Sequence, residues 1–342
     1  MHAWTLKPRR IAVIAYDGVQ ALDVVGPMEV FAMANHHKPQ HVAPYEIALA
    51  SPAGGAVTCS SAGGLCLGDT VALADLPSDI DTVIVAGGSE EGLRKVIFET
   101  ELIPWLKSRA PEVRRLASVC TGAFVLAAGG FLDGKRATTH WNSLALLKEL
   151  RPQIDVQSDV IFVAEPPIYT SAGITAGIDL CLALVEADCD AQTALAVSRQ
   201  MVLFMRRPGG ESQLSSALTM QAAAVPRLRN LATRIVEDPT GDLSGPALAA
   251  RVDMSERTFS RAFRKEIGMT PAQFVESARI GRAKALLETS DWPLARVAER
   301  AGFGSVHALH RVFQKRLGIT PGLYRERFSV RQARRTAAPI DG

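Results

Sequence analysis

The sequence predicts a doubly wound α/β domain with a parallel sheet, followed by an all-α domain that contains two helix-turn-helix units. Three observations support this prediction. Short apolar strands alternate with helical patterns as far as about residue 190, residues 226–328 show helical patterns only, and a segment of this second part is repeated 50 residues later. At 342 residues the chain is long enough for about two or three domains.

Residues 8–204 carry the alternating pattern and are predicted to form the first domain. Runs of apolar and β-branched residues predict strands at Arg10–Tyr16, Tyr45–Ala50, Thr82–Ala86, Leu116–Val119 and Ile168–Thr170. Helical patterns predict helices at Val24–Asn35, Gly92–Arg109, Gly122–Ala128, His140–Leu150, Gly177–Ala187 and Ala191–Phe204. Because the strands show little polar alternation, we expect helices to cover both faces of the sheet.

The remaining chain divides by composition. Residues 205–224 are predicted to be a linker because they are rich in Pro, Gly, Ser and Gln, residues 225–328 the helical domain, and residues 329–342 a disordered tail. Residues 1–220 hold 17 Lys+Arg and 23 Asp+Glu, whereas residues 221–342 hold 21 and 12. This imbalance predicts that only the C-terminal third meets a polyanion.

The cysteines and the N-terminus indicate a cellular compartment. The five cysteines are odd in number, and no C-x-x-C pair occurs, which argues against a zinc site or a disulfide framework. The N-terminus lacks a signal-peptide pattern, and no apolar run approaches the ~20 residues of a membrane span. We therefore expect a cytoplasmic protein with no membrane partner, no metal and no cofactor.

The repeated segment runs from Ser255 to Pro271 and returns, without a gap, as Ser305–Pro321. Each copy predicts a short helix, a turn and a basic second helix that a serine can cap. Phe259 and Phe263 lie four residues apart and mark the inward face of the first basic helix. The outward faces of the two basic helices carry Arg257, Ser260, Arg261 and Arg264, and then His307, His310, Arg311 and Gln314.

Two such units in tandem predict a protein that reads two places on DNA. An arginine guanidinium can bind guanine O6 and N7 together. The long helix predicted at Pro271–Thr289 would hold the units about one DNA turn apart, roughly 34 Å. The alternative is a pair of basic amphipathic helices whose charges are only solvated. The matched Gly-x-Thr-Pro endings of the two copies favour DNA reading.

The most chemically informative segment of the first domain surrounds Cys120. A strand is predicted to end at Val119 and a helix to begin at about Thr121, so the positive end of the helix dipole would favour the thiolate. Backbone amides after a neighbouring strand could form an oxyanion pocket. The alternative is a buried core thiol beside a structural histidine. The candidate polar set is Asp23, Gly87, Gly88, Cys120, Thr121 and His140.

Val297–Ser305 followed by Phe313–Arg325 closely resembles the signature of AraC/XylS-type transcription regulators, over about residues 225–328. The resemblance implies a double-stranded DNA operator as partner. Family members more often have a small or polar residue at the positions of His307 and Ala308, so the target sequence cannot be carried over. The base-reading residues that the resemblance implies are Arg257, Ser260, Arg261, His307, His310 and Arg311.

The first domain resembles the ThiJ/PfpI superfamily, which has a class I glutamine amidotransferase-like fold, over about residues 10–190. The segments that carry the resemblance are Asp17–Phe31, Ala86–Gly88, Cys120–Gly122, Leu132–Trp141 and Thr170–Asp179. The isocyanide-hydratase-like branch is most similar, and it implies that Asp23 contacts Cys120. PfpI-type peptidases have His at the position of Thr121, and no His-x-Glu pair appears near residues 160–190, so protease and glutaminase chemistry are not expected.

The fusion of these two domains resembles the GlxA-like regulators, in which the ThiJ/PfpI-like domain is thought to sense a small metabolite. We therefore predict a sequence-specific DNA-binding transcription regulator, homodimeric and not an enzyme, with an effector pocket over Cys120. The resemblance implies an amino acid or an amine as effector. Two alternatives stay open. One is an active Cys120-dependent hydratase or glyoxalase-like enzyme fused to a DNA-binding domain, and the other is a regulator in which Cys120 senses oxidants.

Overall fold

The computed structural model describes residues 7–37, 44–60, 63–158, 160–203, 209, 213 and 225–328. The chain divides into two compact units, Met1–Gln213 and Leu214–Gly342. Apart from Gly209 and Gln213, the predicted linker at 205–224 lies outside the described residues, and so does the predicted tail at 329–342.

The first unit is built on one large sheet. Its strands are β1 (Arg9–Ile14), β2 (Tyr45–Ser51), β3 (Gly55–Thr58), β4 (Cys66–Ala72), β5 (Ile80–Val85), β6 (Arg115–Val119), β7 (Arg136–Ala137), β8 (Asp155–Val156), β9 (Phe162–Glu165) and β10 (Ile168–Ser171). Within the described residues, eight of them form a sheet in the order β3-β4-β2-β1-β5-β6-β10-β9, and β7 pairs with β8.

The centre of this sheet is parallel, which confirms the predicted fold class. All pairs from β4 through β2, β1, β5 and β6 to β10 are parallel, with Ile11 of β1 opposite Ile47 on one side and Thr82 on the other. Only the edge pairs β3–β4 and β9–β10 are antiparallel. The direction of strand order reverses beside β1, and in open α/β sheets ligands bind outside the carboxyl ends of the strands at such a point.

Helices flank the sheet, and one predicted helix is wrong. The helices are α1 (Ala21–His36), α2 (Glu90–Phe98), α3 (Leu102–Arg109), α4 (Ala123–Ala128), α5 (Leu144–Leu150), α6 (Thr175–Asp188) and α7 (Ala191–Gln200). The helix predicted over 92–109 is two helices. Thr100 separates them, because its hydroxyl donates to the Val96 carbonyl at 2.7 Å and accepts from the Leu102 amide at 3.2 Å.

The helices predicted to begin at Gly122 and His140 start with short 3₁₀ turns, at Cys120–Gly122 and Trp141–Ser143. The helix predicted to reach Phe204 ends at Gln200. The first two differences matter for the site, since they place Cys120 inside a tight turn rather than ahead of a regular α-helix.

A buried cluster of charges closes the amino end of the sheet. Asp188, at the end of α6, accepts hydrogen bonds from Arg115 at 2.7 and 2.9 Å, from Arg114 at 2.8 Å and from the Tyr45 hydroxyl at 3.1 Å. Burial opposes the ionisation of Asp188, but the arginine hydrogen bonds outweigh it and lower its pKa.

The second unit is helical throughout its described residues. Its helices are α8 (Pro226–Glu237), α9 (Gly245–Ala250), α10 (Glu256–Ile267), α11 (Pro271–Thr289), α12 (Leu294–Arg300), α13 (Val306–Leu317) and α14 (Pro321–Phe328). Two separate cores form around α11, one beside α10 and one beside α13. Their large buried side chains include Phe259, Phe263 and Phe274 in the first and Leu309, Phe313 and Tyr324 in the second.

The repeated sequence produces repeated structure. Ser255 and Ser305 each accept a hydrogen bond from the backbone amide three residues later, at 3.4 and 3.1 Å, which confirms the predicted N-caps. Gly268 and Gly318 end α10 and α13 in the left-handed conformation, with φ of +79° and +69°. Among the described residues, no helix has the length and apolar character needed to cross a membrane.

Candidate functional site

Cys120 follows β6 directly and occupies a strained turn. Its φ is +56°, a value that non-glycine residues rarely adopt. Its amide donates to the Ala172 carbonyl at 3.2 Å, and its carbonyl accepts from the Thr139 hydroxyl at 2.8 Å. A Cβ on Gly122 would lie 2.3 Å from the Val85 carbonyl, so only glycine fits the next part of the turn. Backbone strain of this kind concentrates at functional sites.

Two glycines leave the space in which the candidate polar groups meet. A methyl group added to Gly87 would lie 2.7 Å from Cys120 Cβ and 2.8 Å from Asp23 Oδ2. A methyl group added to Gly173 would lie 3.2 Å from Cys120 Sγ and 2.6 Å from the His140 ring. The carboxyl, thiol and imidazole groups therefore converge at the carboxyl end of the sheet.

Thr121 joins this cluster to the segment after β5. Its hydroxyl accepts from the Gly88 amide at 2.9 Å and donates to the Gly88 carbonyl at 3.1 Å. The structure thus brings all six predicted residues together. The Gly88 amide already donates to Thr121 and is therefore not available to the expected oxyanion pocket.

Asp23 is fully buried on α1, and its Oδ1 accepts from the Ile174 amide at 3.0 Å. Burial raises its pKa to about 6, although hydrogen bonds from Ile174, Cys120 and Gly87 act in the opposite direction. The carboxyl group therefore titrates close to neutral pH, far above the range of an exposed aspartate.

Cys120 is a protonated thiol in this environment. Burial and the nearby Asp23 charge raise its pKa to about 12, and hydrogen bonds from Thr121 only partly oppose them. The prediction that a helix N-terminus would favour the thiolate is wrong, because Cys120 is buried, with 9% of the residue exposed, and α4 has only six residues. A redox sensor with an exposed, low-pKa thiol is contradicted for the same reason.

His140 forms the outer wall of the cluster. Its Nδ1 accepts from the Asn142 amide at 3.4 Å, and burial lowers its pKa, so a neutral imidazole faces the thiol. The ring of Trp141 lies 5.5 Å from it, and this side chain is 49% exposed. Gly88, Thr121 and His140 are half-buried, and solvent reaches the cluster on this side.

Gly209, in the segment predicted to be the linker, is connected to the cysteine through the edge of the sheet. Its carbonyl accepts from the amides of Ile161 at 2.9 Å and Phe162 at 3.2 Å. The Ile161 carbonyl in turn accepts from the Ala172 amide at 2.7 Å, and the Ala172 carbonyl accepts from Cys120. A Cβ on Gly209 would lie 2.7 Å from Phe162, so the linker can approach this closely only at a glycine.

Gln213 makes a second connection from the linker. Its side-chain amide donates to the Thr139 carbonyl at 3.0 Å, the Thr138 hydroxyl at 3.1 Å and the Val160 carbonyl at 3.0 Å. Since the Thr139 hydroxyl holds the Cys120 carbonyl, both backbone groups of Cys120 are connected by hydrogen bonds to the segment predicted to be the linker. Gly209 and Gln213 belong to no periodic pattern, so sequence reasoning missed them; Gly173 lies within the segment Thr170–Asp179 that carries the family resemblance, and this was the signal for it.

The second unit presents the predicted nucleic-acid face. The eight predicted residues lie opposite the buried side of α10 and α13; six are exposed, and Ser260 and His310 are half-buried. Beside α13 an open concave surface of about 550 Å³ includes two residues that were not predicted, Lys315 and Thr320. Its other lining residues are His307, His310, Arg311 and Gln314.

Known families match both parts of the chain. The DJ-1/PfpI family matches residues 9–187, and the helix-turn-helix domain matches residues 248–327. HTH-type transcriptional regulator CdhR of Pseudomonas aeruginosa is 31% identical over 304 residues, which cover 89% of this chain and 88% of the relative. HTH-type transcriptional regulator GlxA of Rhizobium meliloti is 27% identical, with 83% and 86% covered.

One enzyme is also similar. Isonitrile hydratase of Pseudomonas putida is 32% identical over 240 residues, which are 69% of this chain and 98% of the enzyme. Among solved structures, an AraC family transcriptional regulator from Pseudomonas putida gives a TM-score of 0.50 at 23% identity, covering 57% of this chain and 100% of that structure. A ThiJ/PfpI family protein from Pseudomonas syringae gives 0.52 at 24%, covering 63% and 85%. These structures support the fold alone.

Proposed function

Because this chain belongs to the DJ-1/PfpI family and is a DNA-binding, HTH-type transcription regulator with an AraC-type domain, we propose that its first unit senses a small metabolite at the site over Cys120. The observation that carries the proposal is the pair of hydrogen-bond chains from Cys120 to the linker. A ligand that displaces the Cys120 turn acts on Gly209 through Ala172 and on Gln213 through Thr139.

Such a connection gives effector binding a physical route to the linker. An effector shifts a regulator only if it binds two states of the protein with different affinity. The strained φ of Cys120 and the raised pKa of Asp23 support a local structure that a ligand can rearrange. The names of the two related regulators specify no ligand. We propose an amino acid or an amine as the effector class.

The site favours binding over turnover, and we propose that the protein is not an enzyme. The similarity to isonitrile hydratase supports the opposite view. However, the Cys120 thiol is protonated at neutral pH, and the Gly88 amide already donates to Thr121. Nucleophilic catalysis needs an activated thiolate and donors aimed at the developing oxyanion. Mass spectrometry that detects a covalent Cys120 adduct during turnover of an isonitrile would overturn this proposal.

The sensing proposal is tested by ligand-dependent stability. Amino acids and amines are screened for a rise in the melting temperature of the full chain, since a ligand at 100 times its Kd stabilises by about 2.7 kcal/mol. Hits are repeated with Cys120→Ala and, as a control distant from the site, Cys66→Ala. We expect Cys120→Ala to weaken the response while its affinity for bare DNA is unchanged. An equal response in Cys120→Ala and wild type would place the ligand elsewhere.

We also propose specific roles for the recognition arginines. Arg261→Ala and Arg311→Ala should each weaken operator binding by about 1–3 kcal/mol and alter the base preference at one position. Selection of bound fragments from genomic DNA supplies the operator. A mutant with wild-type base preference would exclude that arginine from the readout.

A homodimer and the domain limits 8–204, 205–224, 225–328 and 329–342 are also proposals. Leu22 and Val25 of α1 are 43% and 38% exposed, which supports an interface between copies on this helix. Sedimentation equilibrium of the full chain, and of Leu22→Glu, tests it. A monomeric wild type at micromolar concentration would contradict the homodimer.

A further inference from the structure

The junction between the two helix-turn-helix units contains contacts that neither unit needs for its own core. The cores beside α10 and α13 are separate, and α11 runs through both. The two recognition helices can keep a fixed distance only if α11 and the segments around it are held together. Three side chains and one glycine make contacts that cross this junction.

Arg279, in the middle of α11, binds the loop that precedes α9. Its Nε donates to the Pro239 carbonyl at 3.0 Å, and its Nη2 lies 3.5 Å from the Gly241 carbonyl. Gly302, in the turn of the second helix-turn-helix unit, packs against the same loop and against Arg279. A Cβ added to Gly302 would lie 2.2 Å from the Pro239 carbonyl oxygen and 2.9 Å from Arg279 Nε. The loop before α9, which belongs to the first helix-turn-helix unit, therefore contacts the turn of the second helix-turn-helix unit through Arg279.

An ion pair ties the other side of the junction. Arg316, in the last turn of α13, lies 2.7 Å from Glu276, in the first half of α11. Their side chains are 17% and 30% exposed, so salt screens this pair less than a surface pair. This ion pair connects the recognition helix of the second helix-turn-helix unit to the part of α11 that packs on the first helix-turn-helix unit.

Comparison of the two repeats distinguishes the junction contacts from the features that both helix-turn-helix units share. The capping serines, the core pair Phe263/Phe313 and the C-terminal glycines recur 50 residues apart. Glu276 recurs as Glu326, but its partners at the junction do not: Gly302 corresponds to Val252, and Arg316 corresponds to Glu266. Arg279 corresponds to Ser329. The contacts are therefore a property of the pair of units rather than of each unit.

We propose that Arg279 and the Arg316–Glu276 pair are positioning residues that fix the distance between the two recognition helices, and that they thereby determine which spacing of two operator elements the protein accepts. One added base pair moves the second element by about 3.4 Å along the axis and by about a tenth of a turn around it. A reader with a fixed junction cannot follow this displacement, whereas a reader with a loosened junction can. The proposal depends only on DNA binding and is independent of the metabolite proposal.

The first experiment uses the wild-type full chain. An operator is selected from random DNA, and variants with one base pair removed or added between its two elements are titrated. We expect each change to weaken binding at least tenfold, while base changes within the intervening segment have little effect. Equal binding to all spacings would overturn the proposal without any mutant.

The second experiment loosens the junction with the double variant Glu276→Gln, Arg279→Met. We expect the same two elements to be selected, and the penalty for one added base pair to fall to threefold or less. Arg282→Met is the matched control, because Arg282 is exposed one turn further along α11. It should change binding equally at every spacing. A double variant that keeps the wild-type spacing penalty would overturn the proposal.

A charge exchange covers the case in which the double variant does not fold, as judged by circular dichroism. Glu276→Arg and Arg316→Glu are made singly and together. We expect each single variant to tolerate the added base pair better than wild type, and the combined variant to regain the narrow spacing. Single variants with the wild-type penalty would show that the ion pair does not set the spacing.

Discussion

The two ends of the large sheet each bury an aspartate, and the two carboxyl groups have opposite surroundings. At the amino end, the hydrogen bonds of Arg115 and Arg114 outweigh burial and lower the pKa of Asp188. At the carboxyl end, burial dominates around Asp23 and raises its pKa to about 6. The hydrogen bonds that Asp23 accepts come from neutral groups, such as the Ile174 amide.

This difference shows that burial alone does not decide whether an ionised carboxyl group stabilises or destabilises the fold. Asp188 is paired with positive charge, so ionisation is compatible with its place in the core. Asp23 lies beside the Cys120 thiol, where ionisation of its carboxyl group costs free energy. The aspartate is nevertheless present at this position. Strongly perturbed groups that destabilise the fold are typical of functional sites.

The largest expected effect comes from removing the paired charge. Asp188→Ala should lower the free energy of unfolding by about 3–5 kcal/mol, because Arg114 and Arg115 lose the carboxylate that pairs them. Asp81→Ala is the control, since Asp81 also binds Arg114 but that arginine is 42% exposed; it should cost less than about 1 kcal/mol. Urea unfolding measures both. Equal losses would mean that burial adds nothing to the Asp188 cluster.

At the carboxyl end of the sheet, removing the charge of Asp23 is expected to raise the stability of the protein rather than lower it. The pKa of Asp23 is raised from 3.8 to about 6, so the folded protein holds a proton that the unfolded chain releases. Its contribution to stability therefore falls as the pH rises through this interval, by up to about 3 kcal/mol for two pKa units. Asp23→Asn should remove this fall and stabilise the first unit at pH 8, with the gain vanishing near pH 4.

The pH series also distinguishes the two aspartates. The folded pKa of Asp188 is lowered, so its contribution is present above the ordinary aspartate pKa and is lost only as the pH falls through the lowered value. Between pH 5 and pH 8 the Asp188 contribution should be constant. If Asp23→Asn shows the same slope as wild type across this range, another group is responsible for the slope.

A smaller effect is expected on thiol reactivity. The charge of Asp23 is one cause of the raised pKa of Cys120. Removing a nearby charge shifts a pKa by about one unit or more, so Asp23→Asn should speed alkylation of Cys120 by iodoacetamide about tenfold at pH 8. The exposed Cys66 serves as the internal reference, and peptide mass spectrometry follows each site. An unchanged ratio of the two rates would show that burial alone protects the sulfur.

The smallest expected effect on stability comes from Gln213, in the segment predicted to be the linker, which contacts the carboxyl end of the sheet. Gln213→Leu removes the donor to the Thr139 carbonyl and should cost about 1 kcal/mol. It should also speed amide hydrogen exchange at Cys120, because Thr139 then holds the turn less firmly. Gln157→Leu is the matched control, since its side chain donates to the Asp155 carbonyl at the surface. Equal exchange rates at Cys120 in the two variants would remove the link between linker and site.

Features with a repeating pattern could be predicted from the sequence. The five central strands are apolar runs, and the two basic helices follow from a duplicated amphipathic pattern, so the positions of these elements were confirmed. The roles of the recognition residues stay a prediction. The edge strands β3, β4 and β9 were missed, because strands with exposed, polar positions lack such runs. The break at Thr100 was missed because a single hydroxyl decides it.

The candidate site was predictable in its members but not in its chemistry. The strand-to-helix position of Cys120 and the polar residues expected near it, together with the family resemblance, predicted Asp23, Cys120 and His140, and the structure brings them together. The protonation of Cys120 depends on how deeply α1 and the turn are buried, which no local pattern records. Gly209 and Gln213 were assigned to the linker by composition, and their contacts with residues some 50 to 75 positions earlier are tertiary.

The 19 residues of α11 have a consequence for how long the protein stays on DNA. At 1.5 Å per residue this helix is about 28 Å long, so the two reading units are joined by a short, stiff spacer. When one unit releases its site, the other holds it close, and the effective local concentration for rebinding is very high. Two contacts of modest strength thus produce a long residence time, and exchange between operators requires both to open together.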